Sequence, residues 1–395
     1  MADRKIIQSF DPGSGYTSHN TVELIRGGAP YFQLLETLIH QALESIHLQV
    51  YIYEQDETGT RITNALIRAA QRGVKVFLLL DGYASRSLPP EVIVSLEKCC
   101  IHFRWFEPVL RGKRFYVGRR MHHKIFVADG VHGLVGGINI SNHYNDMPHH
   151  PAWMDWAVYV KGQISVELHN RCLQMWYRSN RKVVLLASMR SPIETDQDCY
   201  IRMRVNDWVR NKNQISRSYI EMFHRAQQQI TLMSSYFLPG RVFRKNLRLA
   251  AARGVKVRII LTKISDVTIA KMAERFFYPW LLRRNIEIYE YRKKVVHGKI
   301  ATYDGQWVTI GSYNFNNISA YASLELNLDI HNKPFAHQVG HALEDILQRD
   351  CDRITPEIFE RKTSLWNKFI HRVAYEIVRF IFFLFTFYFR QEKQK

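Results

Sequence analysis

HHKIFVADG (122–130) and HGKIATYDG (297–305) are the two stretches that decide how this chain folds. Both read His-x-Lys-x-x-x-x-Asp-Gly, with His122, Lys124 and Asp129 in the first and His297, Lys299 and Asp304 in the second. A glycine follows each histidine by 14 residues (Gly136, Gly311) and an asparagine follows by 17 (Asn139, Asn314). One His-x-Lys on an apolar run is usually a satisfied core histidine. Two copies agreeing at five positions are an internal duplication, and a repeat sets the architecture before local propensity does.

The repeat reaches well beyond the motif. AAQRGVKVFLLL (69–80) recurs as AAARGVKVRIIL (250–261), IHLQVYIYE (46–54) as ITLMSSYFL (230–238), and IHFRWFE (101–107) as IEIYEYR (286–292). Asp155 in DWAVYV aligns with Glu325 in ELNLDI. The offset between copies is 181 at Gly73 and Gly254, 185 at Ile101 and Ile286, and 175 at the two histidines. The fall of ten locates an insertion in the first copy at RGKRFYVGRR (111–120). We therefore expect two tandem halves, 1–190 and 191–350, followed by a tail, 351–395.

Local patterns supply the fold class. Segments 58–72 and 241–253 read as helices stopped by Gly73 and Gly254. VKVFLLLD (74–81) and VKVRIILT (255–262) are apolar on both faces, as buried central strands are. HHKIFVAD and HGKIATYD also read as strands, which would set each His and its Lys on one face. Alternating helix and strand predicts an α/β sandwich with a mixed sheet in each half.

Composition narrows the class further. A chain of 395 residues with 46% hydrophobic content can build two cores and is not a disordered protein. Five cysteines without a Cys-x-x-Cys pair fit a reducing compartment. The start, MADRKIIQSFDPGSG, lacks a signal-like apolar run, and no run of about twenty apolar residues occurs. The formal net charge of +19 points to a polyanionic partner, nucleic acid or an anionic membrane surface. The insertion concentrates that charge. Arg111, Lys113, Arg114, Arg119 and Arg120 are interleaved with Phe115 and Tyr116 directly before His122.

The duplicated residues suit one kind of chemistry. Two imidazoles, two ammoniums and two amides around a pseudo-twofold axis fit a phosphodiester. Lys124, Lys299, Asn139 and Asn314 would bind the non-bridging oxygens and stabilise the charge that builds up in the transition state. One imidazole would attack phosphorus and the other protonate the leaving oxygen. Asp155 and Glu325 would orient the rings by accepting the second ring N–H. Asp129 and Asp304 complete the motif and are counted with the catalytic set, although each precedes a glycine, as turn residues do. His143, His149 and His150 have no metal-ligand spacing and read as surface histidines. The lysines fill the electrostatic role of a metal, so no metal or cofactor is expected.

With these residues in hand the chain resembles the phospholipase D superfamily over nearly all of residues 20–330. LLLDGYAS (78–85), RRMHHKIFVADG (119–130) and GGINIS (136–141) are most similar to bacterial cardiolipin synthases of the shorter class, which lack two N-terminal membrane-spanning helices. The resemblance implies two phospholipase D-like domains sharing one site and a covalent phosphohistidine formed without metal. It also implies His122 as nucleophile and His297 as acid/base. The expected reaction is phosphatidyl transfer between two phosphatidylglycerol molecules, forming cardiolipin and releasing glycerol. A phospholipase D-type phosphodiesterase, acting on lipid or nucleic acid, is the alternative, with nucleic acid the lesser expectation.

Membrane contact is expected from the tail. Trp366, Phe369, Ile370, Val373, Ala374 and Ile377 form a helical stripe, and FIFFLFTFYF (380–389) is apolar all round. Ten helical residues extend only about 15 Å, half a hydrocarbon core. Residues 361–395 hold eight basic and two acidic groups. A short basic helix with an aromatic end fits an interfacial anchor on the cytoplasmic face of the cell membrane, with the loop at 111–120 as a second contact.

Overall fold

The repeat builds two mixed sheets with matching strand order. The computed structural model describes residues 15–108, 110–111, 114–115, 119–178, 196–207, 212–315 and 323–392. Across the first sheet the strands run Asn20–Arg26, Trp156–Gly162, His132–Gly136, Lys124–Ala128, Ser45–Val50, Lys75–Asp81, His102–Phe106. Across the second they run Tyr200–Asp207, Ser323–His331, Trp307–Gly311, Ile300–Tyr303, Gln229–Met233, Lys256–Thr262, Glu287–Tyr291. These positions correspond one to one. In each sheet the last three strands are parallel and the others antiparallel.

The repeated Arg-Gly does more than stop a helix. Helices Glu57–Gln71 and Arg241–Ala252 end just before Gly73 and Gly254, whose φ of +93° and +88° would strain any side chain. The arginine before each glycine reaches back to the end of the preceding helix. Arg72 Nη2 donates to the carbonyls of Ile39 and His40 at 3.0 and 2.8 Å. Arg253 Nη2 donates to those of Phe223 and Ala226 at 2.5 and 3.2 Å. One dipeptide thus turns the chain into the central strand and satisfies orphan carbonyls of a neighbouring helix.

Three large apolar cores follow from this layering, with a smaller fourth around Met121, Met175, Trp176 and Leu324. Helices Ala29–Gln41 and Glu57–Gln71 cover the outer face of the first sheet. Helices Gln214–Arg225 and Arg241–Ala252 cover that of the second. The inner faces share the third core, where Val127, Val158 and Val160 meet Ile310, Leu326 and Leu328, all fully buried or nearly so. Helices Gln163–Tyr177 and Lys333–Asp350 add Leu168 and Val339 to it. Burying each such side chain contributes about 1.5–3 kcal/mol, so apolar packing draws the halves face to face.

Two boundaries differ from expectation. The second sheet runs past residue 350, because Cys351–Ile354 pairs antiparallel with Glu287–Tyr291. The tail is also partly core. After helix Pro356–Lys362, helix Leu365–Glu392 lies along Thr268–Arg275, with Phe359, His371, Ala374 and Val378 buried. The Tyr375 ring stacks on Phe276 with centroids 4.6 Å apart. The junction expected near 190 lies outside the described residues, as do the side chains of 382–395 and of the basic loop up to 118.

Candidate active site

Each histidine is set by the other half of the chain. Instead of lying on strands, His122 and His297 sit in the segments leading into Lys124–Ala128 and Ile300–Tyr303. The His122 and His123 amides donate to the Leu324 carbonyl at 2.9 and 3.1 Å, and the His297 and Gly298 amides to that of Met154 at 2.7 and 2.9 Å. Leu324 and Met154 immediately precede Glu325 and Asp155. The carboxylates therefore face across the interface: His122 Nδ1 lies 2.9 Å from Glu325 Oε2, and His297 Nδ1 lies 2.6 Å from Asp155 Oδ2. Neither histidine has its orienting group without the opposite half.

The lysines bend back under the same centre. Lys124 Nζ donates to the His122 carbonyl at 2.5 Å and sits 5.2 Å from the Tyr51 ring centroid. Lys299 Nζ donates to the His297 carbonyl and to Ser235 Oγ at 2.9 Å, and lies 3.0 Å from His297 Nδ1. Tyr51 and Ser235 occupy equivalent places in the repeat. Both Asn139 and Asn314 are buried. Asn139 is held in place by protein groups, which occupy its Oδ1 and one of the two Nδ2 hydrogens. Its Oδ1 accepts from the Ile52 N–H at 3.0 Å and its Nδ2 donates to Tyr144 Oη at 2.8 Å. Tyr144 Oη in turn lies 3.4 Å from His297 Nε2.

Asp129 and Asp304 are elsewhere, a correction to the expected catalytic set. Each sits beyond the far end of its strand, with Asp129 about 16 Å along the chain from Lys124. Asp129 accepts the amides of Leu43, Glu44 and Ser45 at 2.8–2.9 Å. Asp304 accepts those of Gln227, Gln228 and Gln229 at 2.7–3.0 Å. Both have a left-handed backbone, φ 56° and 50°, in the turn that reverses the chain. They staple the entry to the neighbouring strand, and their chemistry is that of a turn.

Four residues escaped the sequence reading. Ser312 Oγ donates to Glu325 Oε2 at 2.5 Å, the oxygen that faces His122. Tyr144 and Ser235 are described above. Asp81 holds the approach to His122, accepting the Met121 amide at 2.8 Å and lying 3.6 Å from Arg120. Of the basic loop, Arg119 pairs with Asp207 of the second half. Among the described residues, no group of three or more His, Cys, Asp or Glu is placed to hold a metal ion.

Burial and mutual charge shape the protonation states. Burial lowers His122 below the usual histidine value, with Lys124 and Lys299 acting the same way and Glu325 opposing. Burial and the two lysines push His297 well below it. Burial also lowers Lys124 to about 7, with help from Lys299, and Lys299 to about 8. Asp155 is raised by burial to about 7, against the pull of Lys299. The site is a desolvated cationic centre near its neutral point, and a phosphate anion is what it would gain most from binding.

The family match falls on both copies. A family model described as "Cardiolipin synthase, PLD-like domain" matches residues 35–170 and 219–347. The chain belongs to the cardiolipin synthase family of phospholipase D-like proteins. It is 32% identical over 371 residues to cardiolipin synthase B of Shigella flexneri and of Escherichia coli K12, covering 91% of this chain and 88% of each relative. Cardiolipin synthase of a Geobacillus species is 30% identical over 344 residues, covering 86% of this chain and 68% of the relative. A solved phosphatidylserine synthase from Haemophilus influenzae superposes with a TM-score of 0.70 at 13% identity, covering 95% of this chain and 97% of that one. At that identity the likeness concerns the fold, and it spans both halves of this cardiolipin synthase-family chain.

Proposed function

We propose that this protein is a phospholipase D-type phosphatidyltransferase that joins two phosphatidylglycerol molecules into cardiolipin and releases glycerol. The observation that carries the reading is the crossed pairing of His122 with Glu325 and His297 with Asp155. With Nδ1–H donated to Glu325, neutral His122 keeps a lone pair on Nε2. That nitrogen attacks phosphorus, and the bond from phosphorus to the glycerol oxygen breaks. His297 Nε2–H protonates the departing glycerol, leaving a phosphatidyl group on His122. A second phosphatidylglycerol then gives its hydroxyl proton to His297. Its oxygen attacks phosphorus and His122 leaves as neutral imidazole. Lys124 and Lys299 neutralise the phosphoryl oxygens throughout.

The Asp155–His297 pair suits the acid role. Because burial lifts Asp155 to about 7, the pair retains an additional proton near neutrality. Shared across Nδ1 and Oδ2, that proton leaves Nε2–H free to donate in either arrangement. Product analysis tests the reaction. Purified protein with phosphatidylglycerol vesicles should yield cardiolipin and glycerol in equal amounts by mass spectrometry. Phosphatidic acid as the sole lipid product would make the protein a hydrolase instead.

A pH dependence follows with a definite sign. Lys124, Lys299 and the Asp155–His297 pair must all hold protons, and their values lie at about 7, 8 and 7. The kcat/KM for a soluble short-chain substrate should therefore fall as pH rises through 7–8. His122, lowered by burial, stays neutral to below its ordinary value, so the acidic limb lies under pH 6.5. A profile flat to pH 10 would contradict the proton count.

Contact with the membrane is proposed through helix Leu365–Glu392 on the cytoplasmic face, as a peripheral or monotopic association. No helix among the described residues is long and apolar enough to cross a membrane. The outward side of this helix carries Trp366, Phe369, Val373, Ile377 and Phe380, each at least 40% exposed. Trp366→Ser with Phe369→Ser should weaken flotation with anionic vesicles, by up to about 1.5–3 kcal/mol per side chain inserted. The melting temperature should hold, because both rings lie off the core. Unchanged flotation would remove the stripe from the membrane contact.

A further inference from the structure

A cavity of about 350 Å³ opens where the C-terminal helix packs on the second half, and none of the active-site residues lines it. Six cationic or titratable bases surround it: Arg244, Arg275, Arg283, Lys368, His371 and Arg372. No acid lines it. Arg275 reaches Glu290 at 3.3 Å and Lys368 reaches Glu360 at 3.9 Å. Arg244, Arg283 and Arg372 form no ion pair among the described residues. Arg244 Nε is buried with no hydrogen-bond partner, while its guanidinium lies 5.5 Å from the Phe277 ring centroid. Cations gathered around one cavity open to solvent repel one another, though solvent screens them, until an anion joins them, and a guanidinium N–H without an acceptor favours one that can supply it.

The aromatic surroundings say which anion. Phe276, Phe277, Trp280 and Phe359 line the cavity between the cations, giving apolar surface that a small hydrated ion does not use. Lys368 and Arg372 come from the same helix turns that expose Phe369 and Val373 to solvent at 54% and 40%. A phosphate bound by the arginines would thus lie beside an apolar stripe suited to acyl chains. We propose that this cavity is a second lipid site, which seats the phosphate of one anionic phospholipid with its chains along the Trp366–Phe380 stripe. The site is separate from the reaction centre, and its occupancy is independent of turnover at His122 and His297.

Photolabelling of the full-length protein tests this. The probe is a short-chain phosphatidylglycerol with a diazirine in one acyl chain, used below its micelle concentration. After irradiation, peptide mapping should find label within 276–283 and 365–373. Arg283→Gln with Arg372→Gln, both at exposed positions, should reduce that label by about tenfold, as loss of two charge-assisted contacts implies. Label near the active-site histidines should stay unchanged. Arg244→Gln should give the same pattern. Label unchanged in both variants, or equal label from the phosphatidylcholine analogue, would overturn the proposal. So would displacement by inorganic phosphate at the probe's own concentration, which would make this a site for free phosphate. Cardiolipin formation persisting alongside any of these results would leave the reaction at the first site standing and remove only the second.

Discussion

His122→Ala is expected to abolish turnover, while His297→Ala should lower it by roughly 10²–10⁴-fold, the usual worth of general acid/base assistance. The two losses differ because the roles differ. His122 supplies the bond that stores the phosphatidyl group, and no neighbour can replace it: Lys124 Nζ is turned back onto the His122 carbonyl and Tyr51 meets the ring edge-on at 4.8 Å. His297 supplies a proton, which water can deliver poorly. Rates of glycerol release from phosphatidylglycerol measure both. Turnover that survives the His122 substitution at the level of the His297 variant would show that the covalent step is not on His122.

Asp155→Asn should resemble His297→Ala in its kinetics, and Glu325→Gln should resemble His122→Ala, although each carboxylate belongs to the opposite half. Where a buried carboxylate orients a catalytic imidazole, its amide replacement holds the wrong tautomer and costs about 10⁴-fold. The 2.6 Å contact of His297 Nδ1 with Asp155 gives this substitution a comparable lever. Asn at 155 also removes the group that burial holds near neutrality, so the alkaline limb of the pH profile should change in Asp155→Asn. Combining Asp155→Asn with His297→Ala should cost little beyond His297→Ala alone, since the two act as a unit. Additive losses in that pair, with non-additivity between Asp155 and His122 instead, would contradict the crossed pairing and place the partners within each half.

Much of this was legible in the sequence because the duplication repeats chemistry as well as structure. The duplicated α/β halves, the buried strands at 75–81 and 256–262 and the residue types of the site all follow from aligned copies, whereas the order of strands within each sheet does not. What the alignment could not supply is partnership across the interface. Asp155 and Glu325 lie on matching strands of their own copies, and only docking of the sheets reveals that each serves the other copy's histidine. Asp129 and Asp304 show the opposite limit. A motif scores spacing alone, although five residues of strand already carry Asp129 about 16 Å from Lys124. The DG dipeptide was the better signal, as the three amides on each carboxylate explain. Tyr144 had no signal beyond its place five residues after Asn139. In the tail, one stripe of apolar residues hid two faces. Ala374 of that stripe turns to the core, as does Val378 outside it, whereas Trp366 and Phe369 turn to solvent.

The most direct test of one site built from two halves is to find where the phosphatidyl group rests. His297→Ala, incubated with short-chain phosphatidylglycerol and quenched, should gain one phosphatidyl mass by intact-protein mass spectrometry, and fragmentation should place it on His122. Adding Glu325→Gln should abolish that adduct even though residue 325 lies in the other half. An adduct on His297 in the His122→Ala protein, or none in either variant under turnover conditions, would contradict the account.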